Sequence, residues 1–93
     1  MSDELTDDER RVRALTRTAL ELELAFRAAM FERDKMIVEL YDTHRVSQYG
    51  LARALGRNWT RIQAIRRGWS TKPARWAKRK AEIEAELKAL GDN

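Results

Sequence analysis

The sequence predicts an all-α protein, and three observations lead to that prediction. The 93 residues include one Pro and four Gly, so long stretches rich in Ala, Leu, Glu and Arg run without helix-breaking residues. No alternating apolar run with β-branched residues is long enough to predict a sheet. Apolar residues recur every three or four positions both before His44 and after Pro73. We therefore expect a three-helix core flanked by long N-terminal and C-terminal amphipathic helices.

The distribution of charge predicts a nucleic-acid partner. Residues 43–81 contain eleven Lys and Arg and no Asp or Glu, whereas the rest of the chain contains eight basic and fifteen acidic residues. A folded segment of one sign with an apolar pattern is typical of a surface that binds a polyanion, most plausibly double-stranded DNA. The expected binding partner is thus a duplex rather than a membrane, because no apolar run reaches membrane-spanning length.

Composition excludes several other classes of site. The chain has no Cys and a single His, His44, which excludes disulfides, thiolate metal sites and histidine metal cages. The acidic stretch 1–9 is unlike a signal peptide, so we expect a cytoplasmic, nucleoid-associated protein. We find no paired-carboxylate pocket, nucleophile–base set or glycine-rich phosphate loop, and we expect no enzymatic activity, no metal and no cofactor.

The N-terminal part of the chain predicts one long amphipathic helix. Residues 1–5 are expected to be disordered, and Thr6 is expected to cap a helix over 6–32 whose first turn is acidic. Arg33 interrupts its apolar stripe, which favours a break or bend near 32–35, although one continuous helix to about His44 stays open. The stripe consists of Val12, Leu15, Ala19, Leu22, Phe26 and Ala29. It fits a two-stranded seam, which favours a homodimer, with packing against the C-terminal helix as the alternative.

Two short helices and a longer one are expected to follow. Ser47 can cap a helix that ends at Leu55, and Gly56 suits a left-handed turn. The next helix, 59–67, is expected to be capped by Asn58 and closed by Gly68. Pro73 suits the first turn of the last helix, with Ser70 or Thr71 as its cap and Gly91 at its end.

Residues 48–67 resemble the helix-turn-helix family of DNA-binding proteins. A small residue, Ala52, stands where two helices cross closely, Gly56 stands at the turn, and four apolar residues fill the wedge between the helices, namely Leu51, Leu55, Ile62 and Ile65. Together with 33–40 and Val46–Ser47, this stretch resembles region 4 of bacterial sigma factors and small actinobacterial or phage regulators. The resemblance implies a helix-turn-helix core over 33–69, followed by a C-terminal helix over 70–93.

Helix geometry then predicts which side chains would meet DNA. If Ile62 and Ile65 point inward, the outer face of the second helix is free to enter a major groove. Base contacts are expected from Trp59, Thr60, Gln63, Ala64 and Arg67, with Gln63 suited to adenine and Arg67 to guanine. Phosphate contacts are expected from Ser47, Gln48, Tyr49, Arg57, Asn58, Arg61, Arg66 and Lys72.

Several of these residues also have a purely structural explanation. Trp59 is as well suited to packing against a neighbouring helix as to touching DNA. Trp69 and Trp76 are better suited to the core, where they would join the last helix to the body of the protein. His44 is interpreted as a helix-end residue. The basic run 78–80 is either a solvated helical face or an additional set of phosphate contacts.

The most direct hypothesis is a sequence-specific transcriptional regulator of bacterial or phage origin. One alternative is a protein that binds RNA polymerase or a sigma factor through its long amphipathic helices. Another is a non-specific architectural DNA-binding protein, which would use the same positive charge without a preference for sequence.

Overall fold

The computed structural model describes residues 4–91, which form four helices. These are α1 (Asp7–Asp42), α2 (Gln48–Leu55), α3 (Trp59–Gly68) and α4 (Lys72–Gly91). Residues 4–91 contain no strand, which confirms the all-α prediction. Of the N-terminal residues expected to be disordered, 1–3 lie outside the described residues, and 4–5 precede α1 without regular structure. None of the four helices combines the length and apolarity needed to cross a membrane.

The first helix is a single element of 36 residues. Thr6 caps it as predicted: its Oγ1 accepts from the Glu9 amide at 3.1 Å and donates to Glu9 Oε1 at 2.9 Å. The favoured break near 32–35 is wrong, because the helix continues through those residues to Asp42. The domain boundary expected between 32 and 33 therefore falls inside one helix.

A buried carboxylate explains why charged residues interrupt the apolar stripe without breaking the helix. Asp34 is only 2% exposed. Its Oδ1 accepts from Arg33 Nε at 2.9 Å and from Nη2 at 2.7 Å, and its Oδ2 accepts from Lys72 Nζ. A buried carboxylate with all of these donors is satisfied rather than destabilising. Residues 33 and 34 thus mark the position along α1 where α4 begins.

The last helix runs back along the first in antiparallel fashion. Arg17 Nη2 donates to the Leu90 carbonyl at 2.8 Å near one end of the pair. Farther along, Arg79 donates to both carboxylate oxygens of Glu23, from Nη2 at 2.9 Å and from Nε at 3.0 Å. Ile83 of α4 is completely buried. The two amphipathic helices therefore pack on each other within one chain.

An aromatic cluster links the pair formed by α1 and α4 to the core that contains α2 and α3. The Phe31 ring lies 5.3 Å from the Trp69 ring and 6.4 Å from the Trp76 ring, with interplanar angles of 27° and 29°. Trp69 also packs against the core formed with α2 and α3. The prediction that both tryptophans join the last helix to the body is confirmed, whereas Phe31 was not anticipated.

Most of the apolar stripe of α1 that the sequence singled out lies away from α4, although Phe26 lines a groove between the two helices. Leu20 and Leu24, one and two positions from the nearest stripe residues, are half-buried on the side that carries Glu23 and Phe31. The stripe residues stay largely in contact with solvent: Val12 64%, Leu15 60%, Leu22 65% and Phe26 65% exposed. Ala19 and Ala29 are exposed as well.

The second core is small and lies where α2 and α3 meet the C-terminal part of α1. Its buried members are Ile37, Val38, Leu51, Ile62 and Ile65, and Ala52 and Leu55 pack against them.

Two predicted caps are confirmed: Ser47 Oγ accepts from the Gly50 amide at 3.0 Å, and Asn58 Oδ1 accepts from the Arg61 amide at 3.3 Å.

Two left-handed residues end α1 and α2 in the same way. Gly56 has φ 70°, as predicted, and the amides of Gly56 and Arg57 donate to the Arg53 and Ala52 carbonyls. At the end of α1, His44 has φ 55°, and the amides of His44 and Arg45 donate to the Tyr41 and Leu40 carbonyls. His44 is thus a helix-end residue, in a backbone conformation that glycine adopts at lower cost.

The expected helix stop at Gly68 is wrong. The glycine belongs to α3, and Trp69 follows it with helical angles of φ −66° and ψ −34°. Thr71 directly precedes α4, and its Oγ1 donates to the Gly68 carbonyl at 3.3 Å. Pro73 lies in the first turn of α4, as predicted, and Gly91 is its last residue.

The glycines at 50 and 68 differ in the space around them, and this difference predicts opposite effects of alanine. A Cβ added at Gly50 would lie 2.9 Å from Val46 Cγ1, whereas one at Gly68 would meet nothing within 4 Å. We expect Gly68→Ala to stabilise the fold by about 0.5–1 kcal/mol, because alanine favours a helix. We expect Gly50→Ala to destabilise it by about 1 kcal/mol, because Val46 packs on the core and resists displacement. Urea unfolding followed by circular dichroism measures both, and equal effects would contradict the structure.

The ion pair between α1 and α4 predicts a dependence of stability on pH. Hydrogen bonds from Arg79 and then Arg27 lower the pKa of Glu23 from 4.5 to about 2. The unfolded chain therefore takes up a proton before the folded chain does, and this contribution to stability, complete above pH 4.5, is lost as the pH falls towards 2.

We expect Glu23→Gln to melt at a lower temperature than the parent at neutral pH, with the difference closing between pH 4.5 and 2. The matched control is Glu21→Gln, an exposed position on the same helix. Melting curves at a series of pH values measure both variants. A difference that is the same at every pH would show that the carboxylate is not the group responsible.

Candidate nucleic-acid interface

The outer face of α3 is accessible along its length. Ile62 and Ile65 point into the core, at 0% and 8% exposure. Thr60, Ala64 and Arg67 are exposed. Gln63 is half-buried and, with Arg66 and Arg67, lines a shallow depression of about 440 Å³. The orientation predicted for the helix is thus present, with its small and polar side chains turned away from the core.

Trp59 and Arg66 are both engaged with the end of α1. The Trp59 ring lies 6.1 Å from the Tyr41 ring at 24°, and the residue packs against the core. The Arg66 guanidinium lies 3.7 Å from the centre of the Tyr41 ring, and its Nη2 is 3.4 Å from Asp42 Oδ1. These contacts fix the first and third turns of α3 against α1, so both side chains have a structural role wherever else they bind.

Most of the basic side chains in residues 43–81 are free of acidic partners. Of the eleven, four form ion pairs with carboxylates from outside the segment: Arg66 with Asp42, Lys72 with Asp34, Arg79 with Glu23 and Glu82, and Lys80 with Glu84. Within the described residues the other seven are exposed and take part in no ion pair, namely Arg45, Arg53, Arg57, Arg61, Arg67, Arg75 and Lys78. Their charge is therefore available to a polyanion.

The start of α2 offers the donors expected of it. Ser47 Oγ accepts from the Gly50 amide, which leaves its hydroxyl proton free to donate. Tyr49 is 72% exposed, and Gln48 is half-buried. Asn58 is exposed, although its side-chain oxygen serves the cap of α3.

Two basic residues have partners that the sequence did not indicate. Lys72, expected at a phosphate, donates to the buried Asp34. Arg79, expected on a solvated face or at a phosphate, is held by Glu23 and Glu82. Asp34 lies 38 residues from Lys72 and Glu23 lies 56 residues from Arg79 along the chain, so no local spacing could have indicated these two pairs, whereas Glu82 is only three residues from Arg79.

A second concave feature lies away from α3. A groove of about 410 Å³ opens between α1 and α4. Its lining is mixed, with Phe26, Met30, Phe31 and Trp76 beside Arg27, Lys72, Arg75 and Arg79. Among residues 4–91, no group of three or more His, Asp or Glu side chains is arranged to hold a metal ion.

Comparison with known proteins leaves the chain without an assigned relative. No family model matches it, and no curated protein or solved structure matches it either. Function must therefore be inferred from the chemistry and the arrangement of its own side chains.

The different surroundings of Arg66 and Arg67 predict different effects on stability. We expect Arg66→Ala to lower the free energy of unfolding by about 0.5–1 kcal/mol, because it removes the contact with the Tyr41 ring. Arg67→Ala should change it by less than about 0.5 kcal/mol, as is usual for an exposed side chain without a partner. Urea unfolding of the two variants tests this. A larger loss for Arg67→Ala would mean that Arg67, and not Arg66, holds α3 against α1.

Proposed function

We propose that this protein is a sequence-specific double-stranded-DNA-binding regulator of transcription that uses a helix-turn-helix. Its three helices are the C-terminal part of α1, then α2, then α3 as the recognition helix. The observation that carries the proposal is the set of seven exposed, unpaired basic side chains in residues 43–81, of which Arg57, Arg61 and Arg67 lie on α3 or just before it, together with the small and polar outer face of that helix. Such a surface attracts the phosphates of a duplex and offers side chains to its bases.

The dimensions of α3 suit a major groove. Its ten residues make it about 15 Å long, and the groove is about 12 Å wide. Ala64, exposed between larger neighbours, allows the helix to approach the base edges closely. On this proposal Gln63 binds adenine, Arg67 binds guanine, and Thr60 touches a thymine methyl or a phosphate. Trp59 would contact DNA only through the part of its ring that Tyr41 and the core leave uncovered.

Phosphate contacts would position this helix without reading sequence. Arg57, just before α3, and Arg61, within it, are exposed and unpaired. Residues 47–49, at the start of α2, offer amides and side chains as further hydrogen-bond donors. Arg66 would need to leave Tyr41 to join them, and Lys72 would need to leave Asp34. We therefore assign the main phosphate contacts to Arg57 and Arg61, with Arg53 and Arg45 nearby in the chain.

A non-specific architectural protein would share the charge but not the composition of the α3 face. Positive charge alone explains binding to any duplex. Gln63 and Arg67 are the two residue types that make paired hydrogen bonds to adenine and guanine, and they lie one turn apart on the same face. This placement favours a reader of sequence over a coating protein.

Selection of bound sequences from a random duplex pool tests the proposal, because a regulator enriches one motif whereas an architectural protein enriches none. On the selected duplex, we expect Gln63→Ala or Arg67→Ala to cost about 1–3 kcal/mol of binding free energy and to relax the preference at one base pair. We expect Arg61→Ala to weaken binding to selected and random duplexes alike, and to reduce the slope of log K against log salt by about one.

Lys88→Ala is the control, since Lys88 is exposed near the far end of α4 and should leave both affinity and specificity unchanged. Fluorescence anisotropy over a range of salt concentrations measures all four variants. Absence of binding to every duplex at low salt would overturn the proposal. Enrichment of no motif would reduce it to an architectural role.

A further inference from the structure

The exposed apolar stripe on α1 carries the next inference. Val12, Leu15, Ala19, Leu22, Phe26 and Ala29 follow steps of three and four residues along one face of the helix. With Met36, which is 61% exposed, the face extends over about 36 Å at 1.5 Å per residue. A soluble chain rarely leaves so regular an apolar row in contact with water unless another molecule covers it.

We propose that a second copy of the chain covers this face, and that the two α1 helices run antiparallel. We infer a register in which each residue of the seam faces a residue of the partner, and the two residue numbers of every such pair add up to 41. Val12 then faces the partner's Ala29, Leu15 faces the partner's Phe26, and Ala19 faces the partner's Leu22. Every layer of the seam combines a larger with a smaller side chain, which is how a seam fills its volume evenly.

The charged residues of the same face favour this register. Arg33, which interrupts the apolar row, would face the partner's Asp8, and Arg11 would flank the seam opposite the partner's Glu32. Within the described part of the chain, Asp8, Arg11 and Glu32 are exposed and form no ion pair. Arg33 keeps a third of its side chain exposed beyond its bond to Asp34, at 34%. Twofold symmetry forms each of these pairs twice.

A parallel dimer would place like with like. Arg33 would face its own copy, Asp8 would do the same, and Ala19 and Ala29 would form two layers too small to fill the seam. Like charges directly opposite each other and unfilled layers both destabilise a seam. The antiparallel arrangement avoids both penalties.

The antiparallel register also fixes the distance between the two DNA-binding ends. Tyr41, which α3 packs against, would be separated from the partner's Tyr41 by about 60 Å along the seam at 1.5 Å per residue. One turn of DNA spans about 34 Å, so the two recognition helices fit half-sites about two turns, or about 20 base pairs, apart. This last step rests on the proposed function, whereas the dimer itself does not.

The absence of cysteine from the chain permits a clean test of register without DNA. A mixture of V12C and A29C chains should give a disulfide-linked dimer in air, since the two positions face each other across the seam. Each variant alone should give little product, because in one chain these positions are about 25 Å apart along the helix and in the dimer neither faces itself. A mixture of A14C and A29C is the control, because Ala14 is exposed and lies roughly 110° around α1 from the centre of the stripe. Efficient self-coupling of V12C or A29C would overturn the proposal in favour of a parallel seam.

Mass in solution tests the dimer separately. Light scattering at high micromolar concentration should give twice the chain mass for the parent and for A14E, and the single-chain mass for L15E/L22E. Leu15 and Leu22 are exposed in the single chain, so circular dichroism should show that L15E/L22E stays folded. A single-chain mass for the folded parent would overturn the proposal and leave the face to another partner.

A charge exchange tests the register by affinity. We expect Arg11→Glu to weaken dimerisation about tenfold, because it places two like charges together at each end of the seam, and R11E/E32R to restore it. No restoration would contradict the register.

If the dimer forms as described but no duplex is bound, the proposed function fails and this inference stands. If DNA is bound, half-sites one turn apart would contradict the antiparallel spacing.

Discussion

The continuity of α1 through a buried carboxylate is the constraint on which the rest of the structure depends. Asp34 is almost completely buried and binds Arg33 on its own helix and Lys72 at the start of α4. Just beyond it, Ile37 and Val38 begin the core that supports α2 and α3. One helix therefore serves two packing units, and Asp34 lies between them. Removing either basic partner would leave a buried charge poorly compensated, which costs far more than an exposed ion pair contributes.

The local features of the fold were predictable because each has a local physical cause. Thr6, Ser47 and Asn58 cap helices since their side-chain oxygens can reach an amide three residues later. Gly56 adopts a left-handed conformation that few other residues accept. The inward orientation of Ile62 and Ile65, and hence the outward face of α3, followed from helical periodicity alone.

The features that were not predictable depend on residues distant in sequence. Arg33 resembled an interruption of α1, because nothing near it in the chain shows that Asp34 is paired with Lys72. The choice of which face of α1 packs on α4 was equally hidden, since both faces carry apolar residues at helical spacing. Phe31 belongs to the covered face, and its two tryptophan partners lie beyond α3. A glycine such as Gly68 is typical of the position after a helix end, but here Trp69 packs on the core and the helical backbone angles continue past the glycine.

The positions of the acidic residues determine which basic side chains hold the fold together and which stay exposed. The acids of α1 at positions 23, 34 and 42 each hold a basic residue from the acid-free segment, and these bonds fix α3 and α4 in place. Together with Lys80, which pairs with Glu84 of α4, these three basic residues account for four of the eleven in that segment, and the other seven remain exposed without a carboxylate. An acidic residue within residues 43–81 would reduce the positive charge around the unpaired basic side chains. The acids outside that segment stabilise the fold through their ion pairs and leave those seven side chains unpaired. The same separation of charge explains how a chain with a net charge of only +4 can expose seven basic side chains that have no carboxylate partner.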